Sequence, residues 1–346
     1  MFGSATLLDP LEARLTPPAR DEFRLGLMVP RSGALGLTSP AALAAAALAA
    51  EEINERGGVR GRRMSLAVID AGRSPAEVAA EVADLIDAQS LVGLVGFHTS
   101  DVHRATERVT ASRVPYLFTP PHEGGSRLPG VALSGPGPLE QLGPALAGLV
   151  RHATRRWALV GNDYIWPRSV HAAATSLIRD AGGAVVASIF APLGQVDAEQ
   201  ILAAVQASDA DAMLLSLVGR DLATFNRAFA ASPLRGRILR VSGALDETGL
   251  LEIGGDETGD LFATMDWFAS DTDDDGFVAR YTARWGEAAP SLGVYARGCY
   301  DGLHLVADIG RAGNLDVAGF ASAVRRRVAR WPRLACADGM RLIAVR

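Results

Sequence analysis

Hydroxyl side chains follow two neighbouring apolar runs of the sequence, at the point where each run stops. Leu91–Val95 is followed by Gly96-Phe97-His98-Thr99-Ser100, and Val114–Phe118 is followed by Thr119-Pro120-Pro121-His122. A polar segment with an apolar stripe, roughly Asp101–Ser112, separates the two runs, and this pattern predicts a strand–helix–strand unit with parallel strands. In open parallel sheets, ligands bind beyond the carboxyl ends of the strands.

We interpret Ser100, Thr99 and Thr119 as polar groups on the floor of a small-molecule site. Hydroxyls and free backbone N–H groups gather at such strand ends, where they can bind a ligand oxygen. The alternative is that Ser100 only caps the helix that follows it, which is the commoner use of a serine at a helix start.

Length and composition favour two α/β lobes. At 346 residues the chain exceeds one ordinary domain. A hydrophobic content of 49% and a charged content of 21% suit a globular protein with sizeable cores. The net charge of −5 gives no indication of a nucleic-acid-binding surface. All 34 basic side chains are arginine, which excludes Schiff-base and P-loop chemistry because both need lysine.

Alternating strand and helix patterns extend over two parts of the chain. Phe23–Val29, Met64–Asp70 and the two runs above are predicted strands separated by helices, and a similar series starts at Trp157. This order is typical of two doubly wound, Rossmann-like α/β lobes joined by hinge crossovers.

Late helices follow both series, and they suggest that the chain returns to the first lobe before its final strand, Met340–Val345. We predict a disordered tail over residues 1–22 and a ligand cleft between the lobes. We assign residues 23–135 and about 270–328 to lobe 1, and residues 136–269 and about 329–346 to lobe 2.

The cysteines and the amino-terminal residues bear on the cellular compartment. Cys299 lies in an apolar helical stretch, which favours a buried free thiol over a disulfide with Cys336. The start of the chain lacks a basic segment followed by a long apolar core, so we see no secretory signal. Ala41–Ala50 is apolar but too short to span a bilayer. We therefore expect a cytoplasmic protein, or a periplasmic or extracellular one if the start is misassigned or trimmed.

Two patterns that could bind a metal ion are incomplete. His98 and His122 follow strands of one predicted site, but no third ligand is evident for zinc, and we expect both to donate hydrogen bonds to a ligand carbonyl or carboxylate. The stretch from Asp271 to Gly276 begins like a calcium loop, but Thr282 stands where the bidentate glutamate is needed. The loop at residues 30–36 lacks both GxGxxG and GK[ST]. We expect no metal and no cofactor.

Five motifs carry a family resemblance that covers roughly Phe23 to Arg330. The sequence resembles the type I periplasmic-binding-protein family, in its branched-chain amino acid, amide and urea group, and is most similar to the cytoplasmic amide-sensing negative regulators of aliphatic amidase operons. The most specific motif is VGNDYIWPRS. The motifs are INERGGVRGRRM (53–64), LVGFHTSDVHRAT (94–106), TPPHEGG (119–125), LSGPGPLEQ (133–141) and VGNDYIWPRS (160–169).

The resemblance implies roles for individual residues. It implies that Ser100 holds the polar end of the ligand and that Tyr164 reaches across from lobe 2. Trp166 is interpreted either as packing or as part of an apolar cage for a small amide. The resemblance further implies that the pocket is lined by residues after the next strand and by one apolar residue of lobe 2: Phe118, Thr119, Pro120, Pro121 and Val218.

Three positions depart from the family pattern, and they argue against acetamide itself as the ligand. His98 and His122 stand where the family has tyrosines, and Pro120 stands where a threonine is expected. The final hairpin of the family is expected to be shortened here, between about Trp331 and Gly339.

Two lobes that both touch one ligand are expected to close on it. The leading hypothesis is a cytoplasmic amide sensor that controls an antiterminator-like regulatory protein by opening and closing. We expect a homo-oligomer without direct nucleic-acid contact or membrane insertion. The basic run Arg325-Arg326-Arg327 is either a solvated face or a docking patch for that partner.

The alternative is a solute-binding protein of an ABC transporter for amides, urea or branched-chain amino acids. A third hypothesis is an enzyme. The carboxylate pairs Asp246-Glu247 and Asp256-Glu257 lie in glycine-rich loops without a nucleophile in view, so we do not argue for hydrolysis.

Overall fold

Two β-sheets organise the chain, and helices cover them. The computed structural model describes residues 6–152, 154–270, 275–313, 315–328 and 332–345. In chain order the strands are β1 (Thr6–Leu8), β2 (Glu22–Val29), β3 (Arg63–Asp70), β4 (Gly93–Gly96), β5 (Tyr116–Phe118), β6 (Val131–Leu133), β7 (Arg156–Asn162), β8 (Ala184–Ala191), β9 (Ala212–Ser216), β10 (Leu239–Ser242), β11 (Leu261–Met265), β12 (Arg333–Asp338) and β13 (Arg341–Ala344).

Helices connect most of these strands. In chain order they are α1 (Pro10–Leu15), α2 (Ser39–Glu55), α3 (Pro75–Asp87), α4 (Ser100–Thr110), α5 (Pro138–His152), α6 (Ile165–Asp180), α7 (Ala198–Ala207), α8 (Gly219–Ala230), α9 (Glu247–Ile253), α10 (Phe277–Trp285), α11 (Val294–Arg311) and α12 (Val317–Arg325).

The sheet topology confirms the predicted fold class. One sheet has the order β1-β3-β2-β4-β5-β6 and is parallel throughout, whereas the other has the order β13-β12-β11-β10-β9-β7-β8 and is parallel except for the hairpin β12–β13. We call the first sheet with its helices lobe 1 and the second lobe 2. Strands such as β2 and β9 are buried along nearly their whole length, as expected for parallel strands covered on both faces.

The chain passes between the two sheets more than once. After β6 it enters lobe 2 through α5, which packs on α6, and after β11 it returns to lobe 1, where α10 and α11 pack on α2. After α12, which packs on β6, it reaches β12 at the edge of β11 in lobe 2. Two lobes joined by several short crossings can rotate about them as hinges.

The prediction of a disordered tail over residues 1–22 is wrong for residues 6–15. Leu7 of β1 pairs with Leu66 of β3, and the Asp9 carboxylate accepts a hydrogen bond from the N–H of Leu11 at the start of α1. The Arg24 guanidinium donates to the carbonyl oxygen of Ala13 at 3.0 Å. The pairing of β1 with the open edge of β3 and the capping of α1 therefore order this segment, although its apolar pattern is weak.

Other expectations have mixed outcomes. Cys299 is a buried free thiol, as predicted, and Cys336 is also free. The hairpin near the end is formed by β12 and β13, and Trp331 lies outside the described residues. The calcium-like stretch falls on residues 271–274, which also lie outside them, but the described Asp275 binds the Arg297 guanidinium. None of the described helices has the length and apolar character that a membrane span needs.

Candidate ligand-binding cleft

A cavity of about 30 Å³ lies between the lobes, where β4 and β5 of lobe 1 end. A water molecule needs about 10–15 Å³ of such space, so the cavity holds about two water molecules, and a larger ligand needs the lobes to separate. Its walls are mainly aromatic and apolar, formed by Leu35, Phe97, His98, Ser100, Pro120, Pro121, Tyr164, Trp166, Val218 and Tyr295.

Ser100 joins the two lobes at this cavity. Its Oγ accepts a hydrogen bond at 2.9 Å from the backbone N–H of Trp166, which lies in the first turn of α6. Thr99 is the N-cap of α4 and no side chain caps that helix, so the alternative that Ser100 caps it is wrong. The Ser100 hydroxyl hydrogen has no acceptor among the described residues, and a hydroxyl can accept and donate at once. Ser100 can therefore donate to a ligand while it holds lobe 2.

A second contact between the lobes lies on the other side of the cavity. The backbone N–H of Arg220, in the first turn of α8, donates to the carbonyl oxygen of Ala34 at 2.9 Å. Ala34 belongs to the loop after β2, and its neighbour Leu35 lines the cavity. Two helices of lobe 2 thus contact lobe 1 through their first turns. The first turn of α6 donates to Ser100, and the first turn of α8 donates to Ala34.

Asn162 positions the lobe 2 wall. It is fully buried at the end of β7, where its Oδ1 accepts from the N–H of Val218 at 2.9 Å and its Nδ2 donates to Asp221 Oδ2 at 2.6 Å. The same Asp221 oxygen accepts from the N–H of Gly194 at 2.7 Å. A buried amide that is fully paired fixes the loops it joins. Asn162 therefore fixes where Val218 meets the cavity.

Tyr164 follows Asn162 in the same loop and contributes its ring to the cavity. The side chain is buried, and its hydroxyl has no hydrogen-bond partner among the described residues. Burial raises the pKa of Tyr164 well above its usual value, and nearby carboxylates such as that of Asp101 act in the same direction. The phenol therefore stays neutral and can donate to a ligand acceptor or accept from a ligand donor.

His98 belongs to a buried chain of hydrogen bonds behind the cavity. Its Nδ1 lies 3.0 Å from the carbonyl oxygen of Thr99, which can only accept, so Nδ1 carries the hydrogen. In the neutral ring Nε2 then accepts from the Tyr116 hydroxyl at 2.8 Å. The same hydroxyl accepts from Nδ1 of His103 at 3.0 Å. The hydrogen on Nδ1 of His98 thus determines which atom donates in each of the other two bonds.

This chain changes the predicted role of His98. Burial lowers the pKa of His98 to about 4 and that of His103 well below its usual value, with neighbouring arginines acting in the same direction on His103. Both rings are therefore neutral near pH 7. Because both nitrogens of His98 are engaged within lobe 1, the expectation that it donates a hydrogen bond to the ligand is wrong. His98 instead presents its ring to the cavity as a wall.

His122 does not lie at the cavity, so the expectation that both histidines share one site is wrong. Its Nδ1 accepts from the N–H of Gly124 at 3.0 Å, and its ring lines a separate crevice beside Pro136 and Pro144, near the passage between the lobes. Among the described residues, no group of three or more histidine, cysteine, aspartate and glutamate side chains could hold a metal ion.

Seven of the ten predicted site residues line the cavity, and the other three lie behind it. Thr99 presents its carbonyl oxygen to His98, and Phe118 is buried against the rings of His98 and His103. Thr119 donates to the carbonyl oxygen of Gly96 at 3.2 Å. The seven that line the cavity are His98, Ser100, Pro120, Pro121, Tyr164, Trp166 and Val218, and their contact with a ligand stays a prediction.

Three further residues line the cavity that the sequence did not single out. Phe97 follows β4 directly, so its place beside His98 and Ser100 was a usable signal. Leu35 lies in the glycine-containing loop after β2, where the sequence was compared only with phosphate-binding motifs. Tyr295 comes from α11, and its ring stacks on Phe97 with centroids 5.1 Å apart. Nothing near Tyr295 in the sequence indicates this contact.

Comparison with known proteins agrees with this fold. The model of a family described as "Periplasmic binding protein" matches residues 22–339, which is most of the chain. The chain belongs to this family.

Solved structures of transporter substrate-binding proteins share the fold at low sequence identity. An ABC transporter substrate-binding protein from Sphaerobacter thermophilus is 20% identical, with a TM-score of 0.76 and coverage of 94% of this chain and 97% of that one. A solute-binding protein from R. palustris in complex with benzoate is 16% identical, with a TM-score of 0.77 and coverage of 94% and 95%. A branched-chain amino acid transporter substrate-binding protein from Streptococcus pneumoniae in complex with isoleucine is also 16% identical, with a TM-score of 0.76 and coverage of 94% and 99%.

Proposed function

We propose that this protein is the solute-binding component of an ABC transporter and captures a small organic ligand between its two lobes. The observation that carries the proposal is the hydrogen bond from Trp166 N–H to Ser100 Oγ across the cavity. The Ser100 hydroxyl accepts this bond from lobe 2 and still has a hydrogen to donate to a ligand. It can therefore couple ligand binding to closure of the two lobes. Such coupling is limited by the difference in ligand affinity between the closed and open forms.

The relatives support the transporter hypothesis over the sensor hypothesis. The solved structures named above are transport proteins by their titles, and two of them contain isoleucine or benzoate. Neither the amide-sensing role nor the antiterminator-like partner has support from them, so both stay predictions from the sequence resemblance. The amide, urea and amino acid ligands predicted from the sequence remain candidates, and benzoate joins them by similarity.

A thermal-shift screen tests the proposal. The panel contains acetamide, butyramide, urea, leucine, isoleucine, benzoate and 4-hydroxybenzoate. A ligand at one hundred times its Kd adds about 2.7 kcal/mol to the free energy of unfolding, which raises Tm by at least ~2 °C at this chain length. We expect at least one member to raise Tm for the wild type and to raise it less for Ser100→Ala. A panel without any such ligand contradicts the proposal.

A second experiment separates transporter from sensor. Cell fractionation of the protein expressed in its source organism places it either with the exported proteins or in the cytoplasm. Recovery with exported proteins supports the transporter hypothesis. Recovery in the cytoplasm as a complex that dissociates when the panel ligand is added supports the sensor hypothesis instead.

A further inference from the structure

The indole N–H of Trp166 has no hydrogen-bond partner in the described part of the chain. Its ring lines the cavity, the residue is only 4% exposed, and Nε1 has no acceptor among the described residues. Indole N–H is a donor and cannot accept, so only an acceptor can satisfy it. An unpaired buried donor is unfavourable, so a ligand acceptor beside this ring would satisfy it.

The other polar groups at the cavity also offer hydrogen atoms. The Ser100 hydroxyl accepts from lobe 2 and has its own hydrogen free, and the Tyr164 hydroxyl is unengaged among the described residues. Both nitrogens of His98 are engaged within lobe 1. A ligand that enters this cleft therefore meets one group that can only donate, the Trp166 indole N–H, and two hydroxyls that can donate to it.

Among the described residues that line the cavity, none carries a carboxylate. Three aspartates on neighbouring segments do not line it, and each has a partner within the protein. Asp101 Oδ1 lies 3.5 Å from the N–H of Ile165, Asp163 pairs with the Arg168 guanidinium at 2.6 Å, and Asp246 Oδ1 accepts from the N–H of Gly249 at 2.9 Å. An ammonium group inside the cleft would lose its hydration without gaining an anionic partner, which is costly.

We propose that Trp166 Nε1–H and the Ser100 hydroxyl donate to the oxygen of a ligand carbonyl or carboxyl group, and that the cleft selects ligands without an ammonium group. This inference rests on the proposed function, since it names the ligand class of the same cleft. It assigns Trp166 a hydrogen-bonding role in specificity, beyond packing. Amides and carboxylates share the required oxygen, and the experiment separates them.

Matched ligands test the selectivity on the wild-type protein. Calorimetry compares propionate, propionamide and alanine, and then 4-methylpentanoate, 4-methylpentanamide and leucine, which differ only in the carboxyl group or the amino group. In the set that binds, we expect the carboxylate or the amide to bind at least tenfold more tightly than the amino acid. Whichever of the carboxylate and the amide binds more tightly shows whether the cleft prefers a charged or a neutral group. Equal or tighter binding of the amino acid overturns the proposal.

Trp166→Phe tests the donor itself, with Trp285→Phe as the matched control. The buried indole N–H of Trp285 also lacks a partner among the described residues, but this ring lies under Arg284 in α10, away from the cavity. We expect Trp166→Phe to weaken the best ligand of the wild type at least tenfold and Trp285→Phe to leave it unchanged. Unchanged affinity in Trp166→Phe overturns the proposal.

The two proposals can fail separately. If the wild type binds no member of the screening panel or of the matched sets, the proposed function fails. If it binds an amino acid best, or if Trp166→Phe binds as the wild type does, the proposed function stands and the ligand class is wrong. The ligand comparison uses only the wild type, so it decides even if Trp166→Phe does not fold.

Discussion

Gly219 and Ala34 touch across the cleft so closely that only glycine fits. A Cβ built on Gly219 would lie 2.1 Å from the carbonyl oxygen of Ala34, and the φ angle of Gly219 is +49°. The next residue, Arg220, donates its N–H to that same oxygen. The start of α8 in lobe 2 can therefore approach the loop after β2 in lobe 1 only because it carries no side chain there.

Gly219→Ala is expected to oppose closure. The methyl group collides with Ala34 only when the lobes are together, so the variant should fold and should bind ligand at least tenfold more weakly, which corresponds to about 1.4 kcal/mol. Ligand affinity by calorimetry and the radius of gyration by small-angle X-ray scattering check this, and the variant should stay more extended with ligand present.

Gly236→Ala is the matched control for that experiment. Gly236 also has a positive φ, +70°, but nothing lies within 4 Å of a Cβ built on it. It carries comparable backbone strain without a collision between the lobes. If both variants lose the same affinity, strain in lobe 2 and not the contact with Ala34 is the cause.

Ser100→Ala is expected to weaken ligand binding by about 1–3 kcal/mol, because a ligand oxygen and the N–H of Trp166 each lose a partner. Calorimetry measures the affinity. Ser90→Ala is the control, since Ser90 is fully buried in lobe 1 and does not line the cavity, and its Oγ has no partner within the described ranges. Wild-type affinity in Ser100→Ala would remove Ser100 from the site.

Asn162→Asp is expected to destabilise lobe 2 by about 3 kcal/mol, because it places a second buried carboxylate against Asp221 Oδ2 in place of a donor. Urea unfolding measures the free energy. The double variant Asn162→Asp/Asp221→Asn restores one donor and one acceptor, so it should recover more than half of the loss. Two additive losses would mean that the pair is not coupled.

The sequence was sufficient for the fold and for most of the cleft. Parallel strands are read from continuous apolar runs, and residues directly after such strands meet at one edge of a sheet, which is how the sequence indicates Ser100. Pro120 and Pro121 came from the family resemblance. Tyr164 and Val218 came from the family resemblance, because strand order alone does not say which loop of a second lobe faces the first.

The remaining features depend on tertiary contacts that local sequence does not encode. Tyr295 reaches the cavity from a helix more than 190 residues away from its stacking partner Phe97. The bonds of His98 to Tyr116 and Thr99 turn a residue that reads as a ligand donor into a wall of the cavity. β1 forms because the edge of β3 is available, and the residues of β1 alone do not indicate it.

Buried neutral histidines are expected to make the protein less stable as the pH falls from 7 to 5. Burial lowers the pKa values of His98, His122 and His171 to about 4, whereas an unfolded histidine titrates near 6.5. The unfolded state therefore binds more protons over this range. As a result, the free energy of unfolding decreases from pH 7 to pH 5, by about 2 kcal/mol for each histidine. Asp246 acts in the opposite direction, because burial raises its pKa to about 6; its contribution is smaller, about 1 kcal/mol.

His171→Gln isolates one histidine of this set. His171 lies in lobe 2 between the hydroxyls of Ser188 and Ser216, away from the cavity, so the variant should leave the ligand site intact. Whatever its stability at pH 7, its loss between pH 7 and pH 5 should be about 2 kcal/mol smaller than that of the wild type, because one proton fewer is taken up on unfolding. Urea unfolding at pH 7, 6 and 5 measures both slopes. Parallel slopes would mean that the pKa of His171 does not change on unfolding.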